Sequence, residues 1–259
     1  MLRETMKHIA GALSSAADLV MPRECICCSQ TLERNEKHIC RACQADLPKT
    51  RYWVLRENPM AERYNDLVQR GMGDNVRFHP YGYATALYFY RGGFRNISKA
   101  LKYHRNFAAG KYFADQLGLI LRESPFFRDV TLVVPIPLHR TRRWLRGYNQ
   151  AEIISRKIAR ALGVPCCPGM LVREHLTRSQ THLSQEERAR NVAGAFRLGD
   201  EIPPSVRPGA FVHILLVDDV FTSGATVASA HLALLRGLEH RISPHNLRIS
   251  LATLACVER

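Results

Sequence analysis

The sequence predicts an α/β protein, a mostly parallel sheet flanked by helices, with a small module of different character in front of it. Three observations carry that prediction. From Tyr81 onward, short apolar runs rich in β-branched residues alternate with helical patterns, as when helices cover a sheet. Five of the eight cysteines fall between residues 25 and 43. The length, 259 residues, suffices for one sizeable core plus a small satellite.

Taken in chain order, Leu2, Met6, Ile9, Leu13, Ala17 and Val20 fall near helical spacing, which predicts an amphipathic helix over 1–21. Next, "CICCSQTLERNEKHICRAC" contains two C-x2-C knuckles, Cys25/Cys28 and Cys40/Cys43. Two knuckles this close suit a tetrahedral sulfur cage around a structural zinc ion; two disulfides are the alternative. Cys27 and His38 compete as ligands. Four closed ligands would serve structure rather than chemistry, so 22–48 is read as a zinc-binding module with an all-cysteine ligand set. Little periodicity follows, and 49–80 is read as a linker holding at most a short helix.

The larger domain spans 81–259. "YATALYFY" reads as a strand, "FRNISKALKYH" and "AAGKYFADQLGLILRE" as helices, and "VTLVVPIPL" as a buried strand. "NQAEIISRKIARALGVP" is a helix marked at both ends, by Asn149 as cap with Glu152 three residues later and by Gly163 and Pro165 as stop. "FVHILLV" is a strand, "ATVASAHLALLRGL" a helix and "LRISLATLAC" a last strand. Cys166, Cys167 and Cys256 read as strand-edge or core residues. No Ser-His-Asp set is evident.

The chemistry concentrates in "LLVDDVFTSGAT". Asp218 and Asp219 follow an apolar strand, and Thr222, Ser223, Gly224, Ala225 and Thr226 lead into a helix. Ligands of open α/β sheets bind beyond the carboxyl ends of strands. Small residues and free N–H groups at a helix start form a phosphate cradle. Neither G-x-x-x-x-G-K-[ST] nor G-x-G-x-x-G is present. A phosphate beside two acids needs a spacer, and a five-carbon sugar provides one. Its 5-phosphate would sit in the cradle while its hydroxyls donate to the carboxylates. A plain helix cap explains one acid but not two.

Net charge is +14, which favours an anionic partner. From Ile136 to Arg197 there are twelve Lys/Arg against four Asp/Glu, so that stretch carries +8 of the total. No window approaches ~18 uninterrupted apolar residues, and the start has no sustained apolar run. The expectation is a cytoplasmic protein without a membrane span.

"LLVDDVFTSGAT" resembles the phosphoribosyl diphosphate (PRPP) motif of type I phosphoribosyltransferases. Together with "VPIPLHRTRRWLRGYNQAE", "REHLTRSQTHLSQEERARNVAGAF" and the double knuckle, the stretch from Pro22 to Cys256 is similar to the ComF family of competence proteins. The resemblance implies a type I phosphoribosyltransferase-like fold for 81–259. In it, Asp218 and Asp219 hold the ribose and Thr222–Thr226 bind the 5-phosphate. It makes Arg140, Arg142, Arg143 and Arg146 part of a pyrophosphate loop. Arg178, Gln180, Arg188 and Asn191 belong to a stretch resembling a mobile loop over the site, with Arg178 and Arg188 counted as catalytic beside the aspartates. Lys102 and Arg105 occupy a family segment from which His104 and Asn106 depart. The implied cofactors are structural Zn2+, and Mg2+ bound with PRPP. The implied reaction is transfer of phosphoribose to an acceptor with release of pyrophosphate. The family name implies a role in DNA uptake and natural transformation, with single-stranded DNA or a helicase-type competence protein as partner. A PRPP-sensing or adaptor module without turnover is the alternative.

Overall fold

The computed structural model describes residues 22–73, 80–103, 107–138, 147–173 and 195–258. Four strands form one parallel sheet in the order β1-β6-β5-β2: β1 is Ala84–Phe89, β2 Leu132–Pro135, β5 Val212–Phe221 and β6 Leu247–Cys256. A two-stranded antiparallel ribbon, β3 (Leu171–Arg173) with β4 (Phe196–Leu198), stands apart from it. Six helices accompany the strands among the described residues. They are α1 (Arg41–Asp46), α2 (Pro59–Met72), α3 (Phe94–Tyr103), α4 (Phe107–Glu123), α5 (Gln150–Leu162) and α6 (Ala225–Leu238).

The strands are apolar throughout because both faces are covered. On one side Leu132, Val134, Ile214, Leu216 and Ile249 pack with Tyr64 and Val68 of α2 and Leu234 of α6. On the other, Val133, Leu215 and Leu254 pack with Phe113 and Leu117 of α4 and Ile154 and Ile158 of α5. Each such side chain, fully buried, contributes about 1.5–3 kcal/mol. Consecutive strand residues thus serve opposite layers, which fixes the register.

The stretch 49–80 is more than a connection. Asn58 caps α2 by accepting from the N–H groups of Met60 and Ala61, and its Nδ2 donates to the Ala84 carbonyl 3.0 Å away. Pro59 at the first helical position and Glu62 in the first turn reinforce that start. The Tyr64 hydroxyl lies 2.6 Å from His231 Nδ1 and 3.3 Å from the Ile249 carbonyl, both within the core. This joins α2 to α6 and to the sheet. The predicted helix over 1–21 lies outside the described residues.

Ser250, His213 and Asp129 do meet, contrary to the sequence expectation. His213 Nδ1 is 2.7 Å from Asp129 Oδ1, and its Nε2 is 2.7 Å from Ser250 Oγ. The serine is fully buried and accepts from the Tyr83 N–H, so the row ties strands together and has no access to a substrate. Burial holds the His213 imidazole below its ordinary value, against the pull of Asp129. Burial raises Asp129, but the His213 hydrogen bond and the Arg248 charge outweigh it and hold the carboxyl low. Below about pH 6.5 the unfolded chain takes up a proton that the folded imidazole resists, and near pH 4 the same holds for the carboxylate. Both groups remove stability as pH falls. Urea midpoints are therefore expected to drop from pH 7.5 to 5.5, and the His213→Gln variant to drop less.

Candidate functional site: a cradle at the carboxyl end of β5 and a four-cysteine cluster

The chain after β2 forms α5 over one face of the sheet, and the chain after β5 forms α6 over the other. β2 and β5 are neighbours. The crevice outside their carboxyl ends is therefore a topological switch point, where open α/β sheets bind ligands.

The strand predicted to end at Val217 runs four residues further. Asp218 pairs with Thr253, Val220 with Ala255 and Phe221 with Cys256. The aspartates thus sit within β5 near its end, held in register by β6. Both are half-buried, and the Asp219 N–H donates to Asp218 Oδ1 at 2.8 Å. Thr222 is exposed, Ser223 half-buried and Gly224 buried. The chain then enters α6 at Ala225.

Gly224 is the N-cap of α6, at φ +81°, and no side chain caps the first turn. The capping alternative for Asp218, Asp219 and Ser223 is thereby removed. The first-turn N–H groups form the positive end of a 14-residue helix. A Cβ at Gly224 would lie 2.5 Å from Leu67 Cδ1 and 2.9 Å from the Phe221 ring. Both the backbone conformation and the space select glycine. Gly224→Ala is expected to destabilise the chain by about 2 kcal/mol or more. It should also weaken inorganic phosphate binding, as read by thermal unfolding with and without phosphate.

Sequence reading missed a cation here. The Arg63 guanidinium of α2 lies over the Phe221 ring at 5.2 Å, one residue before the cradle, and Leu67 of the same helix abuts Gly224. The signal was the cap Asn58-Pro59 followed by Met60, Tyr64 and Val68 at helical spacing. Arg140, Arg142, Arg143, Arg146, Arg105, Arg178, Gln180, Arg188 and Asn191 lie outside the described residues, as does the Lys102 side chain.

The four knuckle cysteines come together away from the cradle. The Sγ atoms of Cys25, Cys28, Cys40 and Cys43 all lie within 4.8 Å of one another, with Cys28 and Cys40 at 3.8 Å. Zn–S bonds of about 2.3 Å in a tetrahedron set the sulfurs about 3.8 Å apart, so the residues fit the ion. The Cys40 N–H donates to Cys25 Sγ at 3.3 Å and the Cys43 N–H to Cys40 Sγ at 3.4 Å. Such bonds orient thiolate ligands. Burial raises the Cys25 thiol, but backbone N–H groups of Cys40, Cys27 and Cys28 outweigh it and bring it to about 7. Cys27 stays out of the cluster. It packs on Gly93, and its carbonyl accepts from Asn96 Nδ2 at 2.8 Å. His38 sets its ring against Tyr112, centroids 5.6 Å apart. All eight cysteines are free of disulfides. Cys256 is buried in β6; Cys166 and Cys167 are half-buried, and Cys166 bridges to Val133 beside β2.

No family model matches the chain. Among curated proteins it is 32% identical over 137 residues to competence protein F of Haemophilus influenzae, covering 51% of this chain and 57% of that protein. It is 36% identical over 118 residues to the DNA utilization protein YhgH of Salmonella typhimurium, covering 46% and 49%. It is 26% identical over 231 residues to competence protein ComFC of Streptococcus pneumoniae, covering 86% and 87%. The match thus spans about half the length of the first two relatives. Among solved structures, adenine phosphoribosyltransferase from Leishmania tarentolae is 15% identical, covers 62% of this chain and 80% of its own, and superposes with a TM-score of 0.31. That superposition is loose, and the architecture rests on the strand order and helix placement above. Among the described residues no helix is long and apolar enough to cross a membrane.

Proposed function

We propose that this chain, a homologue of competence proteins F and ComFC and of YhgH, binds PRPP at the carboxyl end of β5 and serves the use of incoming DNA. One observation carries the ligand. Two half-buried carboxylates and an uncapped helix start occupy one strand-to-helix turn at the switch point, with glycine dictated by space and conformation. The 5-phosphate takes the N–H groups of the first turn with the hydroxyls of Thr222, Ser223 and Thr226. The ribose hydroxyls donate to Asp218 and Asp219, which accept only. Mg2+, when bound with PRPP, neutralises the diphosphate.

In the reaction that follows, the acceptor's nucleophile forms a bond to the sugar C1 as the C1–O bond to pyrophosphate breaks. The electron pair leaves with pyrophosphate, and the acceptor's proton passes to solvent. Asp218 and Asp219 lie near the electron-poor sugar and favour the cationic character that develops there. Arg140, Arg146, Arg178 and Arg188 are assigned to the leaving group on the resemblance. The excess of basic residues suits single-stranded DNA, or a helicase-type protein that carries it, as partner.

Calorimetric titration with Mg·PRPP is the test. Saturable one-to-one binding supports the assignment, and no heat at millimolar ligand rejects it. Pyrophosphate release with cell metabolites separates transfer from sensing.

A further inference from the structure

We propose that Asn149 is the positioning residue that anchors the arginine-bearing segment 137–148 beside the aspartate strand and so sets the pyrophosphate half of the site. The inference rests on the PRPP reading above. The Ile136 N–H donates to the Val217 carbonyl at 2.9 Å, and Val217 immediately precedes Asp218. Ile136 is therefore where the chain leaves β5. Asn149 is where it returns. Its Nδ2 donates to the Ile136 carbonyl at 3.1 Å, and its Oδ1 accepts from the Ala151 N–H at 3.2 Å, capping α5.

One buried side chain thus closes the neck of the segment and starts the helix behind it. The neighbouring Tyr148 hydroxyl donates to the Leu101 carbonyl, which fixes the returning chain to α3 as well. Capping alone needs only an acceptor, and Ser, Thr or Asp would provide it. The amide donor is the part that capping leaves unexplained. Arg140, Arg142, Arg143 and Arg146 all fall between the two anchored ends. Whatever anion they hold must lie next to Asp218, on the side of the site away from the phosphate cradle. Misplacing such groups by about 1 Å costs on the order of 100-fold in related settings.

Asn58 makes the same two-handed bond at α2, so the test has to distinguish ligand positioning from fold support. Asn149→Ser keeps a neutral cap but cannot reach Ile136. On the full chain, calorimetry is run separately with Mg·pyrophosphate and with ribose 5-phosphate. The serine variant is expected to bind Mg·pyrophosphate about 10-fold or more weakly, and ribose 5-phosphate within about twofold of wild type, with little change in melting temperature. Asn149→Asp, which also caps but lacks the donor, should show the same split. A loss confined to the Asp variant would point to added charge and overturn the proposal. So would equal weakening of both ligands, or no change in either. Should the serine variant not fold, the Asp variant is read at low and high salt: a pyrophosphate loss that persists under screening supports the missing donor, and one that vanishes rejects it. Wild-type chain that binds neither ligand sinks the PRPP reading and this inference with it. Wild type that binds both, matched by the serine variant, sinks the inference alone.

Discussion

Replacing Cys25 and Cys40 together with serine is expected to abolish zinc binding and lower the melting temperature by about 10 °C or more. The module cannot stand alone. Its regular structure is a six-residue helix and a few loop hydrogen bonds, such as Cys25 N–H to the Gln30 carbonyl and Ile26 N–H to the His38 carbonyl. Segments this short need a staple. Zinc binding to peptides of this kind contributes about 10–16 kcal/mol of apparent free energy at neutral pH, which here is folding free energy. The effect spreads because the module shares its core with the large domain. Cys25, Cys27, Leu32, Ile39 and Leu47 sit in one apolar cluster with Phe94, Ile97 and Phe113 of α3 and α4. The strand after it is held too, since the Phe89 N–H donates to the Pro48 carbonyl. Losing the ion therefore exposes one face of α3 and α4. Elemental analysis should give one zinc per wild-type chain and none in the variant, and chelator should lower the wild-type melting temperature toward the variant's. Equal melting temperatures with and without metal would show that the cage is dispensable.

Local signals made some elements legible in the sequence. The helix over 150–162 was bounded by Asn149 and Gly163, and the structure has Gly163 at φ +72° accepting that role. The bounds of α6 and β6 also follow their apolar patterns. The cradle was legible because its residues are contiguous, and the cysteine cluster because ligand spacing is local. What escaped depends on partners distant in sequence. Aspartate disfavours strands, so β5 appeared to stop at Val217; the ladder to Ala255 and Cys256 and the burial of Val220 and Phe221 carry it on. The helix α2 is held by Tyr64 against His231, 167 residues away, which no window of sequence reveals. Arg63 was overlooked with it. The Ser250–His213–Asp129 row likewise joins three separate elements, and its residue types would have suggested catalysis where burial permits none.

The Asp218→Asn, Asp219→Asn double variant is expected to bind PRPP about 100-fold or more weakly while folding normally. Each carboxylate that accepts from a ribose hydroxyl is worth about 1.5–3 kcal/mol as a charged hydrogen bond, and two such losses give roughly 10²–10⁴ in affinity. Asparagine preserves shape, and its Oδ1 can still accept the bond that the Asp219 N–H now gives to Asp218. Removing two adjacent like charges costs the fold nothing, so the melting temperature should hold or rise. The cradle lies on the helix side of the turn and keeps its N–H groups, so inorganic phosphate should bind the variant at least as well as wild type. That contrast separates the sugar half of the site from the phosphate half. Full PRPP affinity in the variant would mean the carboxylates do not hold the ribose. Loss of phosphate together with PRPP would mean that the turn itself had moved.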